Sequence, residues 1–277
     1  MQDIDTLNGN RPKLEWVPVK ALMIDERYQR DMVSRASNKL IKSIADAFDW
    51  SKFQTLTLTD NEDGTYNVID GQHRAAAARA IAITDVPCLI VETERLSDEA
   101  QSFVSINRDR VRPNSIQLHH AERTAHDATA LLIDEVCKKA GVTIPRTIVN
   151  NDLLKPGETL AVRTINRLIK DVGADTVAEG LSILHQAWPD VGGELTAPMI
   201  KGVCNLIGLD RAHPDGRLID IDRLVSVIRE RDAESRREAA RAFAKQLSIQ
   251  TAVALRMQLV IDYNKRLRTE KRLPWDR

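Results

Sequence analysis

The sequence predicts an α+β unit over 1–112 followed by an all-α unit over 113–277, and three observations predict it. The first 110 or so residues mix alternating apolar stretches with short helical ones. From "RVRPNSIQLHHAERTAHDATALLIDEVCKKAG" onward almost every segment has helical period. The breaks in that second part are turn-formers: Gly141, "LLKPGE", Gly173, "WPDVGGE" and "AHPDG".

The elements follow in order. "LEWVPVKALMI" opens with strand alternation and turns at "DERYQR". "SRASNKLIKSIADAF", 34–48, sets Leu40, Ile41, Ile44, Ala45 and Phe48 at helical spacing. "FQTLTLTD" and "TYNVID" alternate as two strands, and "NEDG" between them makes a hairpin turn. After Gly71 an alanine-rich run predicts a helix. "VPCLIVE", 86–92, is a short apolar strand, and "SDEAQSFVSIN", 97–107, predicts a helix capped by Ser97. That makes about four strands and three helices. The second unit reads as about six helices, the last running from about Ala233 to Leu267.

Composition bounds the function. The chain has 277 residues, 43% of them apolar, with 40 basic and 40 acidic residues. Zero net charge argues against a chain that coats nucleic acid along its whole length. From Arg229 to Arg277, however, 13 Lys/Arg face 7 Asp/Glu, which permits a basic surface there. "YNKRLRTEKRLPWDR" either touches DNA phosphate or an acidic partner, or is a solvated tail. Cys88, Cys137 and Cys204 match no zinc or CxxC spacing, so isolated thiols in a cytoplasmic protein are expected. No apolar run reaches the roughly 18 residues of a membrane span, and "MQDIDTLNGN" has no signal-peptide character. Adjacent His119 and His120 point apart on a helix and make no metal pair. Trp188 is expected to fill a helical core, and no GxxxxGK[ST] loop is present.

The stretch that carries chemistry is Asp70-Gly71-Gln72-His73-Arg74, between a strand and a helix. Gly71 lets a ligand approach the backbone. The helix behind it offers unpaired N–H groups and a positive dipole end. Arg74 can grip phosphate oxygens in two-pronged fashion and His73 can add a donor. Asp70 can cap the helix or help hold a magnesium ion. The alternative is a strand-to-helix turn with a capping Asp and solvated Gln, His and Arg.

"IDGQHRAAAARAIAITDVPCLIVE" resembles the signature of the ParB/sulfiredoxin fold. Other pieces fall in that family's order over about 14–122: "WVPVKALMIDERYQR", "NKLIKSIADAF", and "SINRDRVRPNSIQLHHAE", which is similar to the ENxxR stretch. The DGQHR form also resembles families named for it, associated with DNA modification and mobile elements. The resemblance implies a nucleoside triphosphate, ATP or CTP, with Mg2+ as a possible companion at Asp70. It implies a pocket of Arg30, Gly71, Gln72, His73, Arg74, Asn107 and Arg110, with Asp70, His73 and Arg74 as the catalytic candidates. Arg108 and Arg112 are further phosphate or DNA-backbone candidates.

The match is uneven. Nucleotide-binding ParB proteins carry GERR in the turn, so Gly71 and Arg74 match and Gln72 and His73 do not. Sulfiredoxin carries GCHR, and its catalytic cysteine is Gln72 here, which removes sulfinic-acid reduction. The ENxxR glutamate that helps place magnesium is Ile106. The reading is a ParB-like nucleotide-binding protein, an NTP hydrolase or switch linked to DNA transactions, acting by positioning and charge neutralisation. A homodimer is the expected assembly and DNA a possible partner of the helical unit. The alternatives are a non-enzymatic DNA-binding regulator with a vestigial pocket, and a small-molecule kinase similar to an ADP-using free-serine kinase. Asp25, Glu26 and Asp70 are the base candidates for that last activity.

Overall fold

A computed structural model describes residues 11–24, 34–92 and 113–275. The chain separates into two compact units, Met1–Arg112 and Pro113–Arg277. The first is a mixed five-stranded sheet with helices and the second is all helical among the described residues. The predicted helix over 97–107 lies outside the described residues, as do Arg30, Asn107, Arg108, Arg110 and Arg112, and the base candidates Asp25 and Glu26.

In the first unit the strands are β1 (Lys13–Pro18), β2 (Leu22–Met23), β3 (Leu56–Asp60), β4 (Tyr66–Asp70) and β5 (Asp85–Val91). Their order across the sheet is β1-β5-β3-β4-β2. β3 and β4 form the predicted antiparallel hairpin. Its turn is held by local chemistry: Asp60 accepts the N–H of Glu62 at 2.8 Å and Asp63 accepts that of Thr65 at 2.9 Å. β5 lies between β1 and β3, and its alternation puts Val86, Cys88 and Ile90 on the buried face. The fifth strand, β2, is only two residues long, too short for alternation to reveal it.

Two helices are described in this unit. α1 (Arg35–Asp46) starts at Ser34, whose hydroxyl accepts the N–H of Ser37 at 3.1 Å. None of its residues is fully buried, so its apolar stripe packs shallowly. α2 (Gln72–Ala80) buries Ala75, Ala77 and Ala78, and such small side chains let its backbone lie close to its neighbours. Leu56, Leu58, Val68 and Val86 complete that core.

The second unit contains, among the described residues, α3 (Ser115–Thr124), α4 (Ala128–Lys139), α5 (Val162–Val172), α6 (Ala174–Ala187), α7 (Ala197–Arg211), α8 (Ile221–Arg229), α9 (Ala233–Leu247) and α10 (Thr251–Asn264). Eight helices replace the expected six. Side-chain caps fix several starts: Asn114 with Gln117 forms a capping box, and Asp127, Asp220 and Asp232 cap α4, α8 and α9. The single helix expected over Ala233–Leu267 is two, because Ser248 takes a left-handed conformation at φ 55 and ends α9. α10 is apolar on most of its surface and sits in the middle of the core. Trp188 is buried in the same core, as the sequence predicts.

One polar network is built into this core. Asp210, fully buried on α7, accepts from Leu218 N–H (2.7 Å), Ile219 N–H (2.9 Å) and Arg217 Nε (2.8 Å). Arg217 continues to Glu179 Oε1 at 2.6 Å, and Arg211 reaches Glu179 Oε2 at 2.7 Å. Burial alone would raise the Glu179 carboxyl, but hydrogen bonds from Arg217 and Arg211 hold it below its ordinary value of 4.5. A carboxylate depressed in the folded state adds stability that is present above 4.5 and is lost as pH falls through the folded value. The stability gap between wild type and Glu179→Gln is therefore expected to be constant near neutrality and to shrink below about pH 4.5. Urea titrations at stepped pH check this; a gap independent of pH down to acid denaturation would refute it.

Candidate functional site

The DGQHR turn joins β4 to α2, and the ladder prepares it. Thr57 pairs with Asp70 and Leu58 with Val68, so Ile69 is an extra residue on β4. Such a bulge re-aims the end of a strand. Gly71 follows at φ 102 and is itself the N-cap residue of α2. No side chain caps that helix. The expected cap by Asp70 is thus corrected: its carboxylate takes Arg74 Nη2 at 2.9 Å instead. The first helical bond runs from the N–H of Ala75 to the carbonyl of Gly71, so the helix starts directly behind the glycine.

Arg74 is placed differently from the phosphate grip its position suggests. Nη1 donates to the carbonyls of Gln54 (2.5 Å) and Thr55 (3.0 Å), while Nη2 holds Asp70. The two side chains are only 15% and 19% exposed. The guanidinium ties the start of β3 to the end of β4, and the charges of Asp70 and Arg74 are spent on each other. Gly71 also has a packing reason to be glycine. A Cβ there would lie 2.4 Å from Leu56 Cδ2 and 3.1 Å from Arg74 Nη2. Gly71, Asp70 and Arg74 therefore build the turn. Gln72 and His73 beside them are half-buried.

β2 runs parallel to β4 with Met23 beside Asn67, so the chain leaves β2 toward the end of the sheet where Gly71 sits. β5 runs parallel to β3 and antiparallel to β4, so the chain leaves β5 at the opposite end. A cavity of about 520 Å³ in this unit lies at the far end of α2, lined by Lys20, Arg79 and Asp85. Arg79 there donates to the carbonyls of Val19 and Leu22 at 3.1 Å each.

Among the described residues no group of three His, Cys, Asp or Glu side chains is placed to hold a metal ion. Asp70 holds Arg74 through Oδ2, and no step below is assigned to a metal. His119 is buried with Nε2 on Asp134 at 2.8 Å, and His120 Nε2 meets the carbonyl of Pro145 at 2.9 Å. The three cysteines are free and buried; burial pushes Cys88 up to about 11 and Cys137 and Cys204 up to about 12, which keeps them protonated. Among the described residues no helix is long and apolar enough to cross a membrane.

No protein-family model matches the chain, and a search of curated proteins gives no match. Among solved structures the chain is similar to the C-terminally truncated chromosome-partitioning protein ParB from Caulobacter crescentus complexed with CTP-gamma-S. The identity is 14% and the TM-score 0.42, over 61% of this chain and 98% of that one.

Proposed function

We propose that the N-terminal unit is a ParB-like nucleotide-binding module, with the first turn of α2 as the seat for the phosphates of CTP or ATP. The observation that carries the reading is the uncapped helix start behind Gly71. The positive end of the helix dipole points there, with no side chain capping it, which suits an anion. His73 adds a side-chain donor at the same turn. Arg30, Asn107 and Arg110 remain candidates to close the pocket, and the helical unit is the candidate partner or DNA-binding domain. Binding is placed ahead of hydrolysis, because the two charged groups that transition-state chemistry would use, Asp70 and Arg74, already neutralise each other.

The test separates the two kinds of residue in the motif. Calorimetric titration of the full chain with CTP and ATP, with and without magnesium, is expected to give saturable binding. His73→Ala is expected to weaken it about tenfold, the loss of one charge-assisted hydrogen bond, with unfolding unchanged. Arg74→Ala is expected to destabilise the N-terminal unit by about 2 kcal/mol, because one carboxylate and two carbonyls lose their donor. Absence of nucleotide binding by the full chain would overturn the proposal. An Arg74→Ala protein that unfolds like wild type but no longer binds would return the arginine to the ligand.

A further inference from the structure

The helix α10 reads "TAVALRMQLVIDYN", with Arg256 as the lone cation inside an apolar run. Such a residue needs a partner when it leaves water. Other arginines of this unit are well held: buried Arg236 sits on Asp262, and half-buried Arg223 donates to the carbonyls of Tyr263 and Lys265 at 2.7–3.0 Å. Arg256 has no carboxylate among the described residues. Its single hydrogen bond goes to the carbonyl of Trp275 at 3.4 Å, near the limit of useful geometry. Burial lowers its guanidinium from the ordinary value, which marks a cation held at a cost.

Arg256 lines a cavity of about 730 Å³. That volume is in the range of small-molecule sites, which pair mostly apolar walls with a few convergent polar groups. Val172, Leu209 and Trp275 supply apolar and aromatic wall, and Asn205 supplies an amide. The Trp275 ring is itself fixed edge-on by His213 at 5.8 Å between centroids. Two other charges line the space and both are engaged: Asp171 with Arg167 at 3.6 Å, and Arg211 with Glu179 at 2.7 Å. A guanidinium with no carboxylate partner among the described residues therefore lines the same space as an aromatic side chain.

We infer that this cavity binds a small organic oxyanion with a planar apolar body, its carboxylate or phosphate on Arg256 and Asn205 and its ring against Trp275. The site is separate from the turn at Gly71 and does not depend on the nucleotide reading. A guanidinium suits either oxyanion, since both accept its forked donors.

Benzoate and phenyl phosphate are the probes, titrated into the full chain and followed by calorimetry. Saturable binding of at least one is expected, and their relative affinities tell carboxylate from phosphate. Acetate and inorganic phosphate, which lack the ring, are expected to bind at least tenfold more weakly than their aromatic counterparts. Arg256→Met is expected to weaken the aromatic probes at least tenfold without lowering the unfolding midpoint, since it removes a cation that has no counter-charge among the described residues. Asn205→Ala, also checked for folding, is expected to weaken them less. No saturation by either aromatic probe, or equal binding by the Arg256→Met protein, would overturn the inference.

Discussion

Asp210→Ala is expected to destabilise the helical unit by about 3 kcal/mol, a consequence of removing one buried partner from a group that depends on it. The carboxylate sits where α7 ends and accepts three donors from the segment leading to α8: two backbone N–H groups and Arg217 Nε. Without it the N–H of Ile219 is left buried with nothing to accept it, which costs about 1–3 kcal/mol. Arg217 is half-exposed and keeps Glu179, so its stranded charge adds less than a fully buried one would. Asp210→Asn retains an acceptor for the two N–H groups but turns an amide toward Arg217, so an intermediate loss is expected. Urea unfolding gives the size. Amide exchange at Leu218 and Ile219 gives the place, because both N–H groups should lose protection in Asp210→Ala before the rest of the unit does. A midpoint within about 0.5 kcal/mol of wild type would refute the assignment, since that is the scale of an ordinary surface substitution.

Particular residues show what the sequence makes legible. The hairpin turn at 61–64 is readable because its determinants are local: Asp60 and Asp63 bond N–H groups two residues on. The change from α+β to all-α near residue 112 is readable from period alone. The break between α9 and α10 is hidden, because its left-handed residue is Ser248, neither Gly nor Pro. The shift from a charged to an apolar composition across that point is the one local trace of it. Arg74 is the more instructive case. Its identity and spacing say that it can hold an oxyanion. Which oxyanion it holds depends on the carbonyls of Gln54 and Thr55, about twenty residues upstream, and these come near only through strand pairing. Long-range partners of this kind leave no periodicity in the sequence. Gly71 is legible as a glycine that the turn requires, but the contact its Cβ would make with Leu56 is not, because Leu56 comes near only through the fold.

That reason makes the second large effect computable. Gly71→Ala is expected to destabilise the N-terminal unit by about 2–4 kcal/mol. An L side chain at φ 102 accounts for about 1–2 kcal/mol of it. The remaining 1–3 kcal/mol is overpacking, because the new Cβ would lie 2.4 Å from Leu56 Cδ2 and a side chain or the backbone has to move. Gly64 is the control. Its φ is 85, but nothing lies within 4 Å of a Cβ built on it, so Gly64→Ala is expected to cost only about 1 kcal/mol from the backbone. A double-mutant cycle separates the two parts at Gly71. Leu56→Ala deletes the atom in the way, so Gly71→Ala should cost about 1–2 kcal/mol less in that background than in wild type. Strict additivity would mean that the clash is relieved elsewhere and that the strain is all backbone. The cycle also bears on function. The same substitution would swing the first turn of α2 away from the end of β4, so the N–H groups that form the proposed phosphate seat move with it. Nucleotide affinity and unfolding midpoint should therefore fall together at Gly71 and separate at His73, because glycine shapes the turn and histidine only decorates it.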